Sequence, residues 1–462
     1  MIARPFLILL LSLLSLQCGT PELPTITMQP KGSSWDPFLD TLQARTIQFF
    51  LQTTDSVTGM ALDRYPTPSP ASIASVGFAL TTYPIAAERG ILTREQAARR
   101  TFNTLRHFYS LRQDSSSQGV AGYHGLFYHW LRITDNSREW NCELSTIDTG
   151  LLMAGVLFAQ SYFDQPSEQE EQIRTLADSL YRRVDWTWTS EGHEGIVLAW
   201  YPEKGFQGGS WYGYNESMIL YILALGSPTH PASPKGWDFW TSRYVWDKYA
   251  GLEIVNFGPL FGHQYSHCWI DFRGIKDRYM REKGIDYFEN SRRATYTHQA
   301  YAQLNPGQWR GYSDSIWGLT ACDGPGDTSF TVDGKVRKFH WYSARGASVD
   351  WVFDDGTIAP TAAASSIPFA PEICIPAVKA MARTYGDQLF RPFGFADAFN
   401  PTFVTSQTPN GWFDKDYIGI DQGPIVLMIE NYRNGLVWKT MTRNPYVVEG
   451  LKRAGFSGGW IR

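Results

Sequence analysis

Six segments of this chain place acidic, histidine or aromatic side chains at or just before an apolar stretch with helical periodicity. The carboxylates that stand out in these segments are Glu143, Asp148, Glu216 and Asp421. A lone acidic residue at a helix start is commonly a cap that accepts hydrogen bonds from free backbone N–H groups. That interpretation stays open for Asp148 and Asp421, whereas glutamate is a poor cap. Two such carboxyl groups can divide the work of a general acid and a general base.

The surroundings of these carboxylates favour different protonation states. Glu216 follows the aromatic run 211–215, which can desolvate a carboxyl group and keep its proton in place. Glu143 and Asp148 lie about one helical turn apart among polar residues, and a helix N-terminus lowers the pKa of a carboxylate. We therefore expect Glu216 to be the general acid. Glu143 is the leading candidate for its partner, with Asp148 and Asp421 as alternatives.

Aromatic residues make up 15% of the chain, and 18 of the residues are tryptophan. The face of an indole ring stacks well on the C–H face of a sugar ring, so this excess favours a carbohydrate ligand, although a tryptophan-rich core would also explain it. Further candidates for substrate contact lie around the same helix starts: Asp63, Arg64, Trp140, Trp211, Tyr212, His267, Trp269, Trp309, Arg310, Trp317 and Gln422.

Cleavage of a glycosidic bond needs an acid to protonate the leaving oxygen and a carboxylate to activate water or attack the sugar. The candidate residues fit that reaction better than other chemistries. His263 and His267 have the i, i+4 spacing of two metal ligands, but no third ligand and no metalloprotease glutamate accompany them. Nucleophile-elbow, P-loop and dinucleotide-binding motifs do not occur in the sequence. We expect no metal and no cofactor.

The overall composition limits the partners that this protein can have. A net charge of −4 and a pI near 6.2 argue against nucleic acid, because no basic stripe is present. We expect a carbohydrate as the partner and a monomeric protein. Four cysteines (Cys142, Cys268, Cys322 and Cys374) have no zinc-site spacing, and the sequence leaves open whether they are paired or free.

The N-terminus has the features of an export signal. An apolar stretch from Pro5 to Leu16 is too short to cross a bilayer and ends two residues before Cys18. This arrangement resembles a bacterial lipoprotein signal, although Gln17 stands where a small residue is usual. We predict a signal peptide over 1–17, a flexible tether over 18–34, and a single catalytic domain over 35–462. Cys18 would be lipidated, which predicts an outer-membrane-anchored lipoprotein in the periplasm or at the cell surface.

Two kinds of helical stretch alternate along the remaining chain. Amphipathic stretches cover 35–52, 93–111, 167–184, 234–249, 287–304 and 371–385. Apolar stretches cover 72–89, 145–162, 216–225, 265–272, 312–320 and 422–432, and a last helix is expected near 445–454. The alternation predicts an all-α protein, an (α/α)6 toroid of six outer–inner helix pairs. Long loops over 191–214 and 324–370 can carry short strands around a cleft.

Several motifs in collinear order resemble the bacterial glycoamylase-like family, which contains the endo-β-1,2-glucanases of glycoside hydrolase family 144. The matching segments are 143–155, 214–217, 225–231, 289–295, 356–362, 368–372 and 421–425. The resemblance implies an (α/α)6 barrel, a lipoprotein setting and β-1,2-linked glucan as substrate. It places the acidic cleft residues on Glu143 and Glu216, with Asp148 and Asp421 as further candidates.

Two other functions remain open from the sequence alone. One is an exo-acting glucosidase or oligosaccharide hydrolase with a different linkage. The other is a non-catalytic surface lipoprotein that binds glycans, which would keep the tryptophans but would not need carboxylates at successive helix starts. The paired carboxylates and the family resemblance together favour a glycoside hydrolase that cleaves β-1,2-glucan or its oligosaccharides. We expect it to act by inversion.

Overall fold

The structure is a computed structural model that describes residue 28, residues 35–190 and residues 192–461. It is rich in helix, at about 43% of the described residues. The described residues form fifteen α-helices: α1 Phe38–Thr53, α2 Ile73–Glu88, α3 Arg94–Ser110, α4 Thr146–Tyr162, α5 Glu168–Arg182, α6 Met218–Gly226, α7 Gly236–Thr241, α8 Tyr265–Trp269, α9 Arg278–Lys283, α10 Tyr287–Leu304, α11 Pro360–Ala364, α12 Pro371–Tyr385, α13 Gly419–Arg433, α14 Leu436–Met441 and α15 Pro445–Arg453.

Short antiparallel strands connect these helices. Among the described residues they are β1 Arg64–Tyr65, β2 Ala71–Ser72, β3 Gly122–Tyr123, β4 Leu126–Phe127, β5 Trp130–Leu131, β6 Leu144–Ser145, β7 Val197–Tyr201, β8 Gly205–Ser210, β9 Trp246–Tyr249, β10 Leu252–Val255, β11 Ala321–Cys322, β12 Thr328–Val332, β13 Lys335–Phe339, β14 Ser343–Ala344, β15 Gly346–Ala347, β16 Val352–Phe353, β17 Phe390–Arg391, β18 Gly394–Phe395, β19 Phe399–Asn400, β20 Trp412–Phe413 and β21 Tyr417–Ile418. The strands β6, β7 and β8 form a three-stranded sheet, and the others form two-stranded pairs. Several of these strands end directly before a helix.

The contrast between apolar and amphipathic helices is visible in the packing. The helices α2, α4, α6 and α13 are buried on nearly all sides, and every residue of α6 is buried. The helices α3 and α5 keep charged residues in solvent and bury one face. Helix α2 packs against α4 and α13, α4 packs against α6, and α8 packs against α13. The carboxylate-bearing starts of α4, α6 and α13 therefore belong to helices that are linked by direct packing.

Two predicted helices differ from the structure. Residues 312–320 form turns and bends rather than an inner helix, because Gly311 and Gly318 adopt left-handed φ values of 87° and 148°. The helix that packs against α13 in this region is α11, which begins at Pro360. The helix predicted over 234–249 is reduced to the short α7, because the end of this range forms β9. That strand begins a β-hairpin whose turn has left-handed residues at Ala250 and Gly251.

Several predicted features concern the N-terminus and the cysteines. The signal peptide over 1–17, Cys18 and nearly all of the tether over 18–34 lie outside the described residues. Within the described residues, the four cysteines are free and buried, so none of them forms a disulfide. No helix in the described ranges combines the length and the apolar character needed to cross a bilayer.

Glycine allows α2 and α4 to approach each other closely. A Cβ atom built on Gly155 of α4 would lie 2.1 Å from the carbonyl oxygen of Gly77, and one built on Gly77 would lie 2.3 Å from the carbonyl oxygen of Leu151. Both obstacles are backbone atoms, which cannot rotate away. The distance between these two helices, and with it the position of the start of α4, therefore depends on the absence of side chains here.

We expect Gly155→Ala to destabilise the protein by about 1–3 kcal/mol, because the added methyl group overpacks the contact between α2 and α4. Gly150→Ala on the same helix is the matched control, since its Cβ would meet Leu220 at an ordinary 3.4 Å. That control should be neutral or slightly stabilising, because alanine favours a helix by up to about 1 kcal/mol over glycine. Urea unfolding measures both changes. Equal stability of the two variants would contradict this account.

Candidate active site

The start of α4 carries an ion pair between Glu143 and His129. His129 Nδ1 lies 2.7 Å from Oε1 of Glu143 and 3.7 Å from Oδ2 of Asp148. Burial by itself lowers the pKa of His129, but the Asp148 and Glu143 carboxylates outweigh burial and raise that pKa to about 9. His129 is therefore an imidazolium at neutral pH.

The same ion pair sets the charge of the two carboxylates. Burial raises the pKa of Glu143, but the hydrogen bond and charge of His129 bring it below the ordinary value. Burial dominates at Asp148 and raises its pKa, despite the nearby imidazolium and the hydrogen bond from Ser145. Glu143 is thus held as a carboxylate whose affinity for a proton is low.

Local contacts fix the segment that carries Glu143. The guanidinium of buried Arg138 donates to the carbonyl oxygens of Cys142 at 2.6 Å and Asn141 at 2.9 Å, and it pairs with Glu203. Ser145 then caps α4, because its Oγ accepts from the backbone N–H of Asp148 at 3.2 Å. The chain is therefore rigid on both sides of Glu143.

Tryptophan forms one wall beside the ion pair. Trp130 stacks on the His129 ring with centroids 3.7 Å apart, and its Nε1 donates to Oδ1 of Asp63 at 3.2 Å. Trp140, which is largely exposed, meets Trp130 edge to face at 5.6 Å. Trp211 lies near the start of α4, where its Nε1 donates to Oγ1 of Thr146 at 3.0 Å.

Arg64 connects this region to a second group of carboxylates. Its Nη1 lies 2.5 Å from Oδ2 of Asp323, and its Nε lies 3.3 Å from Oδ2 of Asp63. The strand β1 pairs Arg64 with Ile418 directly before α13, and the N–H of Gly419 donates to the carbonyl oxygen of Asp63 at 2.8 Å. Asp63 and Arg64 are thereby held against the start of α13.

The second group contains buried aspartates that cannot all be ionised. Burial raises the pKa of Asp421 to about 7, that of Asp414 to about 9, and that of Asp397 well above its ordinary value. The nearby Asp323 carboxylate adds to the shift at each of them. Asp397 and Asp421 lie close enough for one to hydrogen-bond to the other, so this pair can share a proton.

Glu216 lies two residues before α6, in a turn that Asn215 stabilises. Oδ1 of Asn215 accepts from the N–H of Ser217 at 3.0 Å, and Ser266 donates to the carbonyl oxygen of Glu216 at 3.3 Å. Glu216 is half-buried, and desolvation raises the pKa of its carboxyl group to about 7, with a smaller contribution from Asp148. The predicted acid therefore has a pKa suited to holding a proton near neutrality.

Tyr265, the first residue of α8, is affected by both of the high-pKa carboxyl groups. Burial raises the pKa of this tyrosine well above its usual range, and the charges of Asp421 and Glu216 raise it further. Both carboxyl groups therefore lie near one phenol. The geometry brings together Glu216, Asp148, Glu143, Asp63, Arg64 and Asp421 from the predicted set.

Other predicted contacts lie elsewhere. Trp269, Trp317 and His267 are fully buried in the hydrophobic core, so the prediction that they contact substrate is wrong. Trp269 belongs to the fully buried helix α8, and Trp317 lies in a hydrophobic core cluster, where the rings fill space between packed side chains. Gln422 is also buried, and its Nε2 donates to the carbonyl oxygen of Phe395 at 3.0 Å.

Trp309 and Arg310 belong to a separate cluster. Trp309 packs with Phe339 and under the guanidinium of Arg337, 4.2 Å from the ring centroid. Arg310 pairs with Asp333 in the turn between β12 and β13. Among the described residues, no contact joins Trp309 or Arg310 to the carboxylates near His129 or to those near Arg64. Tyr212 is 51% exposed, with Arg243 over its ring, and it can act at the surface.

Two groups of side chains have the types and the closeness of metal ligands within the described ranges. They are His129, Glu143 and Asp148, and Asp323, Asp397 and Asp414, each with ligand atoms within 4.8 Å of one another. A cation already lies beside each group, because His129 is an imidazolium and Arg64 contacts Asp323. We assign no metal to either group.

Comparison with known proteins identifies the family. Residues 209–445 match the family model described as "Glycoamylase: Putative glucoamylase", which is more than half of the chain. The chain belongs to this glycoamylase family. The family resemblance predicted from the motifs is thereby confirmed.

Relatives of known structure cover almost the whole chain. A Bacteroides uniformis glucoamylase-like protein is 32% identical, with a TM-score of 0.80, over 94% of this chain and 100% of that one. An endo-β-1,2-glucanase from Chitinophaga pinensis, solved with sophorotriose and glucose, is 30% identical with a TM-score of 0.76, over 93% of this chain and 100% of that one.

A curated relative is the exo β-1,2-glucooligosaccharide sophorohydrolase (non-reducing end) of Parabacteroides distasonis. It is 28% identical over a 459-position alignment that covers 90% of this chain. The chain spans 58% of the length of that relative. Glycoamylase-family members with endo and exo names are thus both similar to this chain.

Sequence reasoning missed several residues of this glycoamylase-family site. They are His129, Trp130, Tyr265, Asp323, Asp397 and Asp414. His129 and Trp130 lie at the start of a short strand, with no helix start to mark them, and Asp397 and Asp414 lie in loops. Only Tyr265 was within a predicted segment. The others come together through strand pairs between distant parts of the chain, for which one sequence carries no signal.

The predicted histidine pair is part of the core. His263, His267 and His298 are fully buried, with Nε2 atoms that contact the Phe257 carbonyl, the Ser291 hydroxyl and the Gly258 carbonyl. Burial lowers the pKa of His263 to about 4, that of His298 to about 3, and that of His267 well below its ordinary value. All three histidines are neutral in the folded protein at neutral pH.

This burial predicts a loss of stability in acid. In the unfolded chain a histidine has a pKa near about 6.5, so the unfolded state gains protons first as the pH falls. Below about pH 6.5, each such histidine should lower the free energy of unfolding by about 1.4 kcal/mol per pH unit until its folded-state pKa is reached. His298→Gln keeps an N–H donor but cannot take up a proton. It should therefore reduce the slope of the unfolding free energy against pH by the contribution of one histidine. Exposed His193→Gln is the control, and equal slopes for both variants in urea unfolding would contradict the assignment.

Proposed function

We propose that this chain is a glycoside hydrolase that cleaves β-1,2-glucan or gluco-oligosaccharides derived from it. The observation that carries the proposal is that two carboxyl groups with pKa values near 7, Glu216 and Asp421, both lie near the Tyr265 phenol. A hydrolase needs one group protonated and one ionised at the same pH. The names of the Chitinophaga and Parabacteroides relatives support the linkage.

Glu216 acts as the general acid in this proposal. Its desolvated carboxyl group holds the proton that passes to the glycosidic oxygen as the bond to the anomeric carbon breaks. Water adds to the anomeric carbon from the opposite face, and its proton passes to a carboxylate base. Each turnover thus leaves one protonated base and one ionised acid, which exchange a proton with solvent before the next cycle.

Asp421 is the best supported of the three candidate bases. The His129 imidazolium holds Glu143 as a weak base, whereas Asp421 has a raised pKa and therefore a higher affinity for a proton. Among the described residues, only the Asp397 carboxyl group, when it is protonated, can donate a hydrogen bond to Asp421 Oδ2. Because Asp421 is buried, we infer that it acts on water through a hydroxyl relay. Asp148 and Glu143 then keep His129 charged beside the substrate.

We infer an (α/α)6 toroid as the architecture behind this site. The inner ring would be α2, α4, α6, α8, α11 and α13, and its support is the packing of α2 on α4 and α13, of α4 and α8 on α6, and of α11 on α13. The ring also needs a contact between α8 and α11. Nε2 of Gln264, just before α8, provides it by donating to the carbonyl oxygen of Ala362 in α11 at 2.8 Å. Such a ring gathers the starts of α4, α6 and α13 on one face.

We also propose the cellular location that the N-terminal sequence predicts, an outer-membrane lipoprotein anchored through Cys18 in the periplasm or at the cell surface. The apolar stretch that ends at Cys18 supports this proposal. Cys18→Ser should move the protein from the membrane fraction to the soluble fraction without changing its turnover. Equal fractionation of the variant and the wild type would overturn the anchor.

We expect Glu216→Gln to lower kcat on linear β-1,2-glucan by about 10²–10⁴-fold, because the amide cannot donate the proton. Affinity for the glucan should change little, since the shape and most of the hydrogen bonding are kept. Glu253→Gln is the matched control, because Glu253 lies exposed on a surface hairpin. A Glu216→Gln variant that keeps more than about a tenth of wild-type turnover would reject this acid.

We expect the first product from a β-linked glucan to be the α-anomer, measured by proton NMR in the first minutes of reaction. Carboxyl groups of inverting enzymes lie about 6.5–9.5 Å apart to admit water, and we expect Glu216 and Asp421, which stand at the starts of the separate helices α6 and α13, to meet that spacing. Asp421→Asn should lose more activity than Glu143→Gln. A β-anomer, or a trapped glycosyl–enzyme on Glu143, would overturn inversion and make Glu143 the nucleophile.

A further inference from the structure

A group of exposed aromatic side chains lies outside the site described above. Trp341 is 63% exposed, Tyr342 46% and Trp351 42%, in the region between β13 and β16. We call these three residues, together with His340 and Phe353, the rim aromatics. Large aromatic rings are costly to leave in water, and a cluster of them at a surface marks a binding area.

Strand pairing places one of the rim aromatics, Tyr342, beside the second group of carboxylates. Cys322 of β11 pairs with Ser343 of β14 in an antiparallel register. Continuing that register by one residue sets Tyr342 opposite Asp323, the carboxylate that binds Arg64. Tyr342 therefore joins the acidic cluster to the exposed surface.

The neighbouring rings continue outward from Tyr342. The Trp341 indole lies over Gly326, whose built Cβ would be 3.6 Å from the ring, so one indole face rests on backbone while the side chain stays largely exposed. His340 meets Phe353 at 5.0 Å, and Phe353 stacks on Trp351 at 6.1 Å with an interplanar angle of 12°. Ring contacts thus join His340, Phe353 and Trp351 into a row, and Trp341 and Tyr342 directly follow His340 in the chain.

A buried arginine holds this row in place. Arg345 is fully buried and pairs with Asp355 through Nε at 2.7 Å. Its guanidinium also donates to the carbonyl oxygens of Cys322 at 2.8 Å, His340 at 3.1 Å and Trp341 at 3.2 Å. The backbone under the exposed rings is therefore ordered before any ligand arrives, which lowers the entropy cost of binding.

We propose that the rim aromatics bind glucose units of a long glucan chain that extends out of the candidate cleft, with Trp341 and Trp351 as the stacking surfaces. The inference rests on the proposed function and adds a binding area outside the cleavage site. A neutral sugar chain fits because its C–H faces stack on indole rings and its hydroxyl groups stay in water. Continuity with the cleft through Tyr342 favours the same chain over an unrelated partner. Long chains would gain affinity here, whereas chains of two to four units would end inside the cleft.

The test compares kcat/KM for long linear β-1,2-glucan with kcat/KM for a short β-1,2-gluco-oligosaccharide. Trp341→Ala and Trp351→Ala should each lower the long-to-short ratio by about three- to tenfold, the range expected for one lost stacking contact. Trp341→Phe, which keeps a flat ring, should keep most of the ratio. Val336→Ala on β13, in the same region and 73% exposed, is the control that reports on the hairpin itself.

The outcomes separate this proposal from the proposed function. An unchanged ratio in both tryptophan variants, with normal thermal unfolding, would overturn the rim aromatics as a binding area. A ratio that falls equally in Val336→Ala would assign the effect to the hairpin and also overturn the proposal. If the wild type cleaves no β-1,2-glucan, the proposed function fails. Affinity electrophoresis of Trp341→Ala and the wild type in gels that contain β-1,2-glucan then decides the binding area by itself.

Discussion

The structure depends on the electrostatics of many carboxylates gathered into one region with few cations. Asp63, Glu143 and Asp148 lie near the His129 imidazolium, and Asp323 forms an ion pair with the Arg64 guanidinium. The remaining aspartates are buried without a cation of their own, so burial forces protons onto them. A protein keeps such an unfavourable arrangement where acid–base chemistry needs it. The carboxylates around His129 thereby keep a fixed charge, whereas the buried aspartates near Asp323 can exchange protons near neutral pH.

The rest of the fold holds that arrangement together. Facing glycines bring α2 and α4 into backbone contact, and the pair of β1 with β21 joins Arg64 to the start of α13. Arg345 joins the Asp323 segment to the loop of Trp341. These contacts are made by backbone atoms and fully buried side chains, which are the least adaptable parts of a protein. These contacts therefore hold the backbone that carries the carboxylates. They also hold the backbone under the exposed aromatic rings before a ligand binds.

Helix positions could be predicted where the apolar pattern was long. The starts of α2, α4 and α13 lie within a few residues of their predicted places, because a helix buried on all sides has a nearly unbroken apolar sequence. The predicted helix over 312–320 failed because left-handed glycines interrupt it. Tryptophan composition correctly marked an aromatic-rich protein but did not separate Trp269 and Trp317 in the core from Trp140 at the surface.

The sequence by itself determined the residue types and their order: carboxylates before apolar helices, an aromatic run before Glu216, and the motifs of the glycoamylase family. Only the tertiary structure decided which carboxylate is neutralised and which keeps a proton. His129 reaches Glu143 across 14 residues, and Asp323 meets Asp397 across 74 residues, through strand pairs that no local pattern encodes. The physical reason is that a pKa depends on burial and neighbouring charge, which are properties of position in space rather than of position in the chain.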